Sequence, residues 1–438
     1  MISRFTRLGL ASVPLAALLA VACSNDGHSP DEHRAETNDA GTTTTTDADA
    51  ADAGSEAGVQ PSYDFAVACA SDPCMTHLAA RGGAHACAIA RDGSVRCWGS
   101  NDSGQLGTGS ASPKYEATPN KVVGVTNATD LAAAGSGPSG TTCVVSSGGA
   151  VTCFGSNMAG QLGRASGASS GPNPDPVALQ GLEAKSVILT TTFALAVGKD
   201  DRLWSWGADD VFQLARTTPA ADDSNEPARA DRVIGRVKSY AGTARNGFVV
   251  GDDGEVLSWG GGTADQLGRA TSLTLDPMPR SVAISGASSI TAGASHACAL
   301  SHGSVHCWGK NDSGQLAAML RADEPFPARA VLPDAGHAVY VAAGGNNTCA
   351  IIANGSVYCW GANGNGQIGA PTGRDRPTPT LIEGLGEQAV ALAVMDASIC
   401  ALLRSGNVRC WGDNLFGQLG RGTRDSSNHV ESAPVVFE

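Results

Sequence analysis

One short pattern recurs seven times along this chain and constrains the fold more than any other feature of the sequence. Each copy contains an aromatic residue followed by glycine, and consecutive aromatics lie 56, 52, 53, 49, 52 and 51 residues apart. The seven aromatics are Trp98, Phe154, Trp206, Trp259, Trp308, Trp360 and Trp411. Repeats of about 50 residues with short strand patterns are typical of β-propeller blades. The sequence therefore predicts an all-β fold, a seven-bladed β-propeller with four-stranded antiparallel blades.

The centre of each repeat has the pattern of a β-hairpin. In the first copy, HACAIARDGSVRCWG from His85, two short strands flank the loop at residues 91–93. This loop ends in Gly93, at the position where a three-residue hairpin loop needs a left-handed backbone. The resulting register sets Cys87 opposite Cys97. Directly opposed Cβ atoms lie about 4.5–5.5 Å apart, which suits a cross-strand disulfide.

The cysteines of the repeats occur in pairs or not at all, which indicates that they bond to each other. The predicted hairpin disulfides are Cys87–Cys97, Cys143–Cys153, Cys298–Cys307, Cys349–Cys359 and Cys400–Cys410. The third and fourth copies have Leu195 with Ser205 and Phe248 with Ser258 instead. A sixth disulfide, Cys69–Cys74, is predicted at the entrance to the propeller. Zinc ligation and reduced buried thiols are the alternatives; we expect no metal and no cofactor.

The first residues have the features of an export signal. Arg4 and Arg7 precede an apolar run at residues 8–19, which is too short to span a bilayer as a stable helix. The small residues that end in Cys23 resemble a bacterial lipobox. The resemblance implies that residues 1–22 are a signal peptide and that Cys23 becomes lipidated. With Cys23 set aside, twelve of the 13 cysteines remain for six pairs. The alternative is an ordinary signal peptide with a free thiol at residue 23.

Two further segments complete the predicted domain organisation. Residues 23–66 are expected to be a lipidated, disordered acidic linker, since residues 24–60 carry nine acids, one arginine and almost no large apolar side chain. Residues 67–438 are expected to form the propeller. We expect Pro434–Phe437 to pair into the blade that holds Cys87 and so close the ring, because this last segment matches a proline-containing strand seen between the other hairpins.

The sequence shows no zinc-protease motif and no phosphate-binding loop motif. It has no HExxH and no Walker A pattern, and no catalytic residue is expected. His85 and His296 share one repeat position that other copies fill with Thr, Phe, Asn or Ser, which favours a structural role. Gln105 recurs in every copy, and we expect it to tie backbone groups of its turn rather than to bind a ligand.

Large apolar side chains where other copies have small or polar ones are candidates for contact with a partner. Aromatic residues are favoured at interaction hot spots. The candidate binding surface consists of Tyr115, Trp204, Phe212, Phe326 and Phe416.

The repeat also resembles a known family. The pattern GxVxCWGxNxxGQLG, here Gly93 to Gly107, and the preceding AAGxxHxCAL are similar to the repeats of the regulator of chromosome condensation family. That resemblance implies the propeller fold. The best-known member is a nuclear exchange factor for the Ran GTPase that also binds chromatin, and a secreted bacterial β-lactamase inhibitor has similar repeats. In this chain 42 acidic residues outnumber 29 basic ones, so we expect no nucleic-acid binding.

The function expected from the sequence is that of a monomeric cell-envelope lipoprotein whose propeller binds a protein or envelope component. By resemblance to Gram-negative lipoproteins, Ser24 after the lipidated cysteine favours the outer membrane or cell surface. An extracellular enzyme or enzyme inhibitor on a propeller scaffold is one alternative, and an exchange-factor-like activity, by resemblance only, is another. A carboxylate pair or histidine cluster at one end of the central channel would favour an enzyme, whereas an aromatic rim without one would favour binding.

Overall fold

The computed structural model describes residues 65–70, 72–164, 170–217, 225–263, 265–318, 322–333 and 336–437. In these residues the chain forms 27 β-strands, and none of their helical segments is long and apolar enough to cross a membrane. The prediction of an all-β propeller is confirmed. The expected signal peptide, Cys23 and the linker as far as residue 64 lie outside the described residues.

The strands follow one another in chain order around the ring. The first eleven are β1 (Met75–Ala79), β2 (His85–Ala90), β3 (Val95–Ser100), β4 (Tyr115–Lys121), β5 (Ala128–Ser136), β6 (Ser139–Ser146), β7 (Ala150–Gly155), β8 (Val177–Leu189), β9 (Phe193–Gly198), β10 (Leu203–Gly207) and β11 (Ala228–Arg229). The next eight are β12 (Val237–Gly242), β13 (Asn246–Gly251), β14 (Val256–Gly261), β15 (Leu275–Val282), β16 (Ala287–Ala292), β17 (His296–Ser301), β18 (Ser304–Gly309) and β19 (Glu324–Arg329). The last eight are β20 (Ala338–Gly344), β21 (Asn347–Ile352), β22 (Val357–Gly361), β23 (Arg376–Leu381), β24 (Ala389–Val394), β25 (Ser398–Leu403), β26 (Val408–Gly412) and β27 (His429–Pro434).

These strands make seven blades, two of which share a strand. Five antiparallel sheets have four strands each, and a sixth has seven. The seven-stranded sheet contains blades 2 and 3, because the 13-residue β8 pairs with β7 through Val177 to Glu183 and then with β9 through Ala184 to Leu189. β8 is therefore the outer strand of blade 2 and the inner strand of blade 3.

The order of strands within a blade gives the ring two distinct faces. In blade 1 the inner strand β1 begins opposite Ala90, next to the loop at residues 91–93, and ends near His85. We call the face that carries such hairpin loops the hairpin face. The opposite face, which carries the turns that contain Gln105 and its six counterparts, is called the turn face.

The predicted hairpin register is present in all seven blades. Cys87 lies opposite Cys97, and the counterparts of this pair in blades 3 and 4 are Leu195 opposite Ser205 and Phe248 opposite Ser258. The loop glycine Gly93 has a φ of +75°, and a Cβ there would lie 2.8 Å from the Cα of Asn127. Glycine is required at this position both for its backbone conformation and for its small size.

A repeated hydrogen bond links each blade to the one before it. The buried indole Nε1 of Trp98 donates to the backbone oxygen of Gln418 at 3.0 Å, across the junction of blades 1 and 7. The corresponding bonds, at 2.8 to 2.9 Å, are Trp206 to Gln161, Trp259 to Gln213, Trp308 to Gln266, Trp360 to Gln315 and Trp411 to Gln367. In blade 2, Phe154 has no N–H, and Thr142 donates its hydroxyl to Gln105 O at 2.8 Å instead.

The glutamine side chains stabilise the same turns. Gln105 accepts a bond from the backbone N–H of Ser103 at 2.9 Å, and Gln161, Gln213, Gln315, Gln367 and Gln418 make the equivalent bond at 2.8 to 2.9 Å. The prediction that this residue ties its own turn is confirmed at these six positions.

The expected mode of ring closure is wrong. β27 pairs with β26 of blade 7, Cys410 opposite Ala433, and does not join the blade that holds Cys87. The proline-containing strands are the outer strands of the hairpins that precede them, and β1 supplies the inner strand of blade 1. Closure depends instead on contacts between neighbouring blades: Phe437 packs edge-on against Trp98 at 5.7 Å, and Gly82 N–H donates to Val394 O at 3.0 Å.

Candidate functional site

A channel runs through the middle of the ring, walled by the inner strands of the blades. Its main cavity has a volume of about 650 Å³, within the range of pockets that hold small ligands. The walls are mostly apolar; they include Leu78, Leu131, Val187, Ile290 and Leu392.

Arg81 separates this cavity from a smaller one near the turn face. It follows β1 and borders both spaces. Its Nη1 donates to Leu189 O of blade 3 at 3.4 Å, and its Nη2 donates to Gly242 O of blade 4. Burial lowers the pKa of the Arg81 guanidinium to about 10, so the group stays charged at neutral pH. Arg81 was not predicted as a functional residue. Six positions before the residue that corresponds to Cys87, other repeats have only small or apolar residues: Leu189, Gly242, Ala292, Ala343 and Val394.

The smaller cavity, of about 190 Å³, lies between Arg81 and the turn face. It is surrounded by small residues of the turns that follow the inner strands, such as Gly82 and Gly293. Asp396 also borders it and accepts a bond from Gly137 N–H at 3.3 Å. Burial raises the pKa of the Asp396 carboxyl group.

At the other end, toward the hairpin face, aromatic side chains border the main cavity. Phe65 is 41% exposed, and its ring centroid lies 6.1 Å from that of Tyr340. Tyr240 donates its hydroxyl to Ser186 Oγ at 2.7 Å. Burial raises the pKa of both tyrosines, so both remain protonated at neutral pH.

The repeated histidines connect blades. His85 Nε2 lies 3.1 Å from Thr142 Oγ1 of the next blade, and His296 Nε2 lies 2.8 Å from Thr348 Oγ1. Because Thr142 donates its own hydrogen to Gln105 O, the ring of His85 must donate from Nε2. Burial lowers the pKa of His85 to about 4 and that of His296 to about 3, so both rings are neutral. This environment suits the predicted structural role.

The structure places twelve cysteines in the six predicted pairs. The S–S distances lie between 2.04 and 2.15 Å, and the hairpin pairs have Cα atoms 4.1 to 4.2 Å apart. Beside Cys69 and Cys74, the N–H groups of Ala68 and Ala70 donate to Arg404 O and Ser405 O of blade 7. Within the described residues no group of three or more His, Cys, Asp or Glu side chains could hold a metal ion.

The five aromatic candidates for a binding surface are spread over four blades. Trp204 is half-buried in blade 3, where the Arg229 guanidinium lies 5.4 Å from its ring, and so belongs to the packing of its blade. Phe326 is 52% exposed on β19 at the outer edge of blade 5. The other three, Tyr115, Phe212 and Phe416, lie at the turn face.

Tyr115 and Phe416 are brought together at the junction of blades 1 and 7. The Arg424 guanidinium of blade 7 stacks 4.0 Å from the Tyr115 ring. Gly417, next to Phe416, packs so closely on Ala117 that a Cβ at Gly417 would lie 2.7 Å from the Ala117 Cα.

Two further apolar residues at the turn face were missed by the sequence analysis. Met158 is 78% exposed and Leu415 is 43% exposed, and both occupy one position of the turn motif. Other copies have Asp102, Asp210 and Asp312 at this position, and that contrast was the available signal. Together with Tyr115, Phe212 and Phe416 they give the adjacent blades 7, 1, 2 and 3 an apolar sector, which we call the apolar rim.

Comparison with known proteins identifies relatives of this chain. The family model for the RCC1-like domain matches residues 50–395, and the model for the regulator of chromosome condensation (RCC1) repeat matches residues 396–418. The ultraviolet-B receptor UVR8 of Arabidopsis thaliana is 27% identical over 354 residues, which is 78% of each chain. Human WBSCR16 is similar in structure, with a TM-score of 0.69 and 21% identity over 78% of this chain and 95% of that one. Prp20p of Saccharomyces cerevisiae has a TM-score of 0.67 and 20% identity over 78% and 86%.

Proposed function

This chain belongs to the RCC1-like domain family, and on that premise we propose that its propeller is a scaffold that binds a protein partner through the apolar rim. The observation that supports this function most directly is the uneven turn face. Met158 of blade 2 and Leu415 of blade 7 are exposed and apolar at a turn position where blades 1, 3 and 5 have an aspartate, and Phe212 of blade 3 is exposed nearby in its own turn. An exposed apolar patch on a soluble surface marks an interaction site.

Comparison with Prp20p supports protein binding as a use of this fold, since its structure is reported together with its binding to Gsp1p and histones. The charge of this chain argues against nucleic acid as the partner. Its formal net charge is −13, whereas proteins that bind nucleic acid present a basic surface. We propose a protein or another envelope component as the partner.

We also propose that the chain is exported and anchored by a lipid on Cys23, at the outer membrane or cell surface. The signal-like segment at residues 4–19 and the lipobox-like sequence that ends in Cys23 support this placement. Six disulfide pairs support it independently, because disulfides persist in oxidising compartments and are rare in the cytosol.

A cross-linking comparison of full-length variants tests the apolar rim. The double variant Met158→Asp, Leu415→Asp places two charges in the rim. In intact envelopes we expect the amount of partner cross-linked to it to be at least about tenfold lower than for wild type. The matched control is Ile234→Asp, which changes a side chain that is 86% exposed in the segment before β12, toward the hairpin face.

The control must retain the captured partner for the rim to be the binding site. Equal capture by wild type and the double variant, or equal loss in the double variant and in Ile234→Asp, would contradict this function.

A further inference from the structure

Arg81 lies in the central channel without a carboxylate partner. Among the described residues no Asp or Glu oxygen lies within ion-pair distance of its guanidinium. The contrast with another buried arginine is clear: Arg269 Nη1 lies 2.9 Å from Asp276 Oδ2. Arg81 is half-buried, and a charge withdrawn from water without a counter-ion is costly, so such groups are normally paired.

The hydrogen-bonding capacity of Arg81 is also incompletely used. A guanidinium has five N–H donors in a planar fork. In the described part of the chain two of them have acceptors, the backbone oxygens of Leu189 and Gly242. The other three N–H donors have no acceptor among the described residues. A fork of this kind matches the two oxygens of a carboxylate.

The space above Arg81 is suited to an apolar molecule. The 650 Å³ cavity is walled by aliphatic side chains such as Leu78, Leu131 and Leu392, and aromatic rings border its other end. Its polar groups are few, and Ser239 and Thr291 already accept hydrogen bonds from Ile290 N–H and Ala343 N–H. The channel thus has one charged end and largely apolar walls.

We propose that the central channel binds an elongated apolar molecule with a single carboxylate end, such as a medium-chain fatty acid, whose carboxylate is held by Arg81. The apolar part lies along the inner strands toward Phe65 and Tyr340. Inner strands of five to seven residues rise roughly 3.3 Å per residue, so the channel has room for a chain of about ten carbons. This site is separate from the apolar rim and takes a different class of ligand.

Isothermal titration calorimetry of the full-length protein tests the site with three probes. Decanoate carries both features, decan-1-ol lacks the charge, and acetate lacks the apolar chain. We expect one saturable decanoate site per chain, with decanol and acetate each at least about tenfold weaker, because a charge-assisted hydrogen bond and a buried alkyl chain each contribute to binding.

Variants assign the effect to Arg81. Arg81→Met should weaken decanoate binding at least about tenfold and leave decanol binding within about threefold, and Arg81→Lys should restore part of the preference. The control is Arg91→Met, which removes an exposed cation on the hairpin face. Absence of saturable decanoate binding by wild type, equal affinity for decanoate and decanol, or equal loss in Arg91→Met would overturn the proposal. Arg81→Met also loses two hydrogen bonds between blades and could fail to fold for that reason. The comparison of the three probes on wild type tests the proposal without that variant.

Discussion

At the scale of single residues, three buried ionisable groups make stability depend on pH in opposite directions. His85 and His296 are held neutral by burial, which lowers the pKa of the first to about 4 and of the second to about 3. Asp130 accepts a bond from Val187 N–H at 2.8 Å, and burial raises the pKa of its carboxyl group to about 6. A histidine in the unfolded chain has a pKa near 6.5 and an aspartate near 3.9.

The two histidines predict a loss of stability in mild acid. Below pH 6.5 the unfolded chain binds protons at these sites and the folded chain does not, so the free energy of unfolding falls as pH drops from about 6.5 to 4. Asp130 opposes this loss of stability between about pH 6 and 4, because in that range its carboxyl group is protonated in the folded chain and ionised in the unfolded chain. We expect the double variant His85→Ser, His296→Asn, which introduces residues that other blades use, to flatten the decline. Denaturant unfolding of wild type and variant at a series of pH values measures how the free energy of unfolding depends on pH.

The expected difference is as large as about 1.4 kcal/mol per pH unit for each histidine, before relaxation of the folded state reduces it. An unchanged slope in the double variant would show that other groups control acid unfolding. A steeper slope would mean that the neutral rings stabilise the fold more at low pH than at high pH, which contradicts their burial.

At the scale of elements, hairpin structure was predictable from the sequence and blade membership was not. Loop length, the left-handed glycine and the paired cysteines together fix the register of a hairpin, so Cys87 opposite Cys97 followed from local pattern alone. No sequence pattern near a proline-containing strand indicates whether it pairs with the hairpin before it or with the hairpin after it. The predicted partner of β27 was wrong for this reason. Met158 and Arg81 differ in residue type from their counterparts in other repeats, but the surroundings that give this difference a meaning exist only once separate blades meet.

The hydrogen bond between tryptophan and glutamine predicts how blade junctions respond to Trp→Phe changes. Trp411→Phe leaves the buried Gln367 oxygen without its indole donor and should cost about 1–3 kcal/mol. Trp360→Phe should cost less, because Gln315 O also accepts a bond from Thr348 Oγ1 at 2.9 Å. The apparent unfolding midpoints of Trp411→Phe and Trp360→Phe, each compared with that of wild type, test this difference.

The natural arrangement in blade 2, a phenylalanine with a threonine donor, is the internal precedent for a mild effect at Trp360. Removal of that donor in the combined variant Trp360→Phe, Thr348→Val should raise the cost at least to that of Trp411→Phe, because Thr348→Val also leaves the buried His296 Nε2 without its partner. Equal costs for the two single variants would show that the threonine does not compensate.

At the scale of the whole molecule, the ring is closed by contacts between side chains and loops rather than by an exchanged strand. The Trp98 bond to Gln418, the edge-on contact of Phe437 with Trp98 and the N-terminal hydrogen bonds to residues 404–406 all meet at the junction of blades 1 and 7. The segment that leads to the proposed lipid anchor therefore enters the propeller beside its seam.

The proposed anchor predicts where the whole molecule is found in the cell. Full-length wild type should fractionate with membranes, and Cys23→Ala should move into the soluble fraction of the envelope or remain as an uncleaved precursor, because the acyl chains supply the membrane affinity. The control is Cys69→Ala, Cys74→Ala, which removes the neighbouring disulfide and leaves Cys23 in place. Soluble wild type, or Cys23→Ala that stays membrane-bound at its mature mass, would contradict the anchor.

The uninterrupted course of the chain through each blade has a consequence for how such a protein arises. Among the described strands, no blade takes a strand from the far end of the chain. Duplication or deletion of a gene segment of about fifty codons therefore adds or removes one complete structural module. Blades 2 and 3 are the exception, because the common strand β8 ties them together. Those two are expected to have been copied, and to be lost, as a single unit of inheritance.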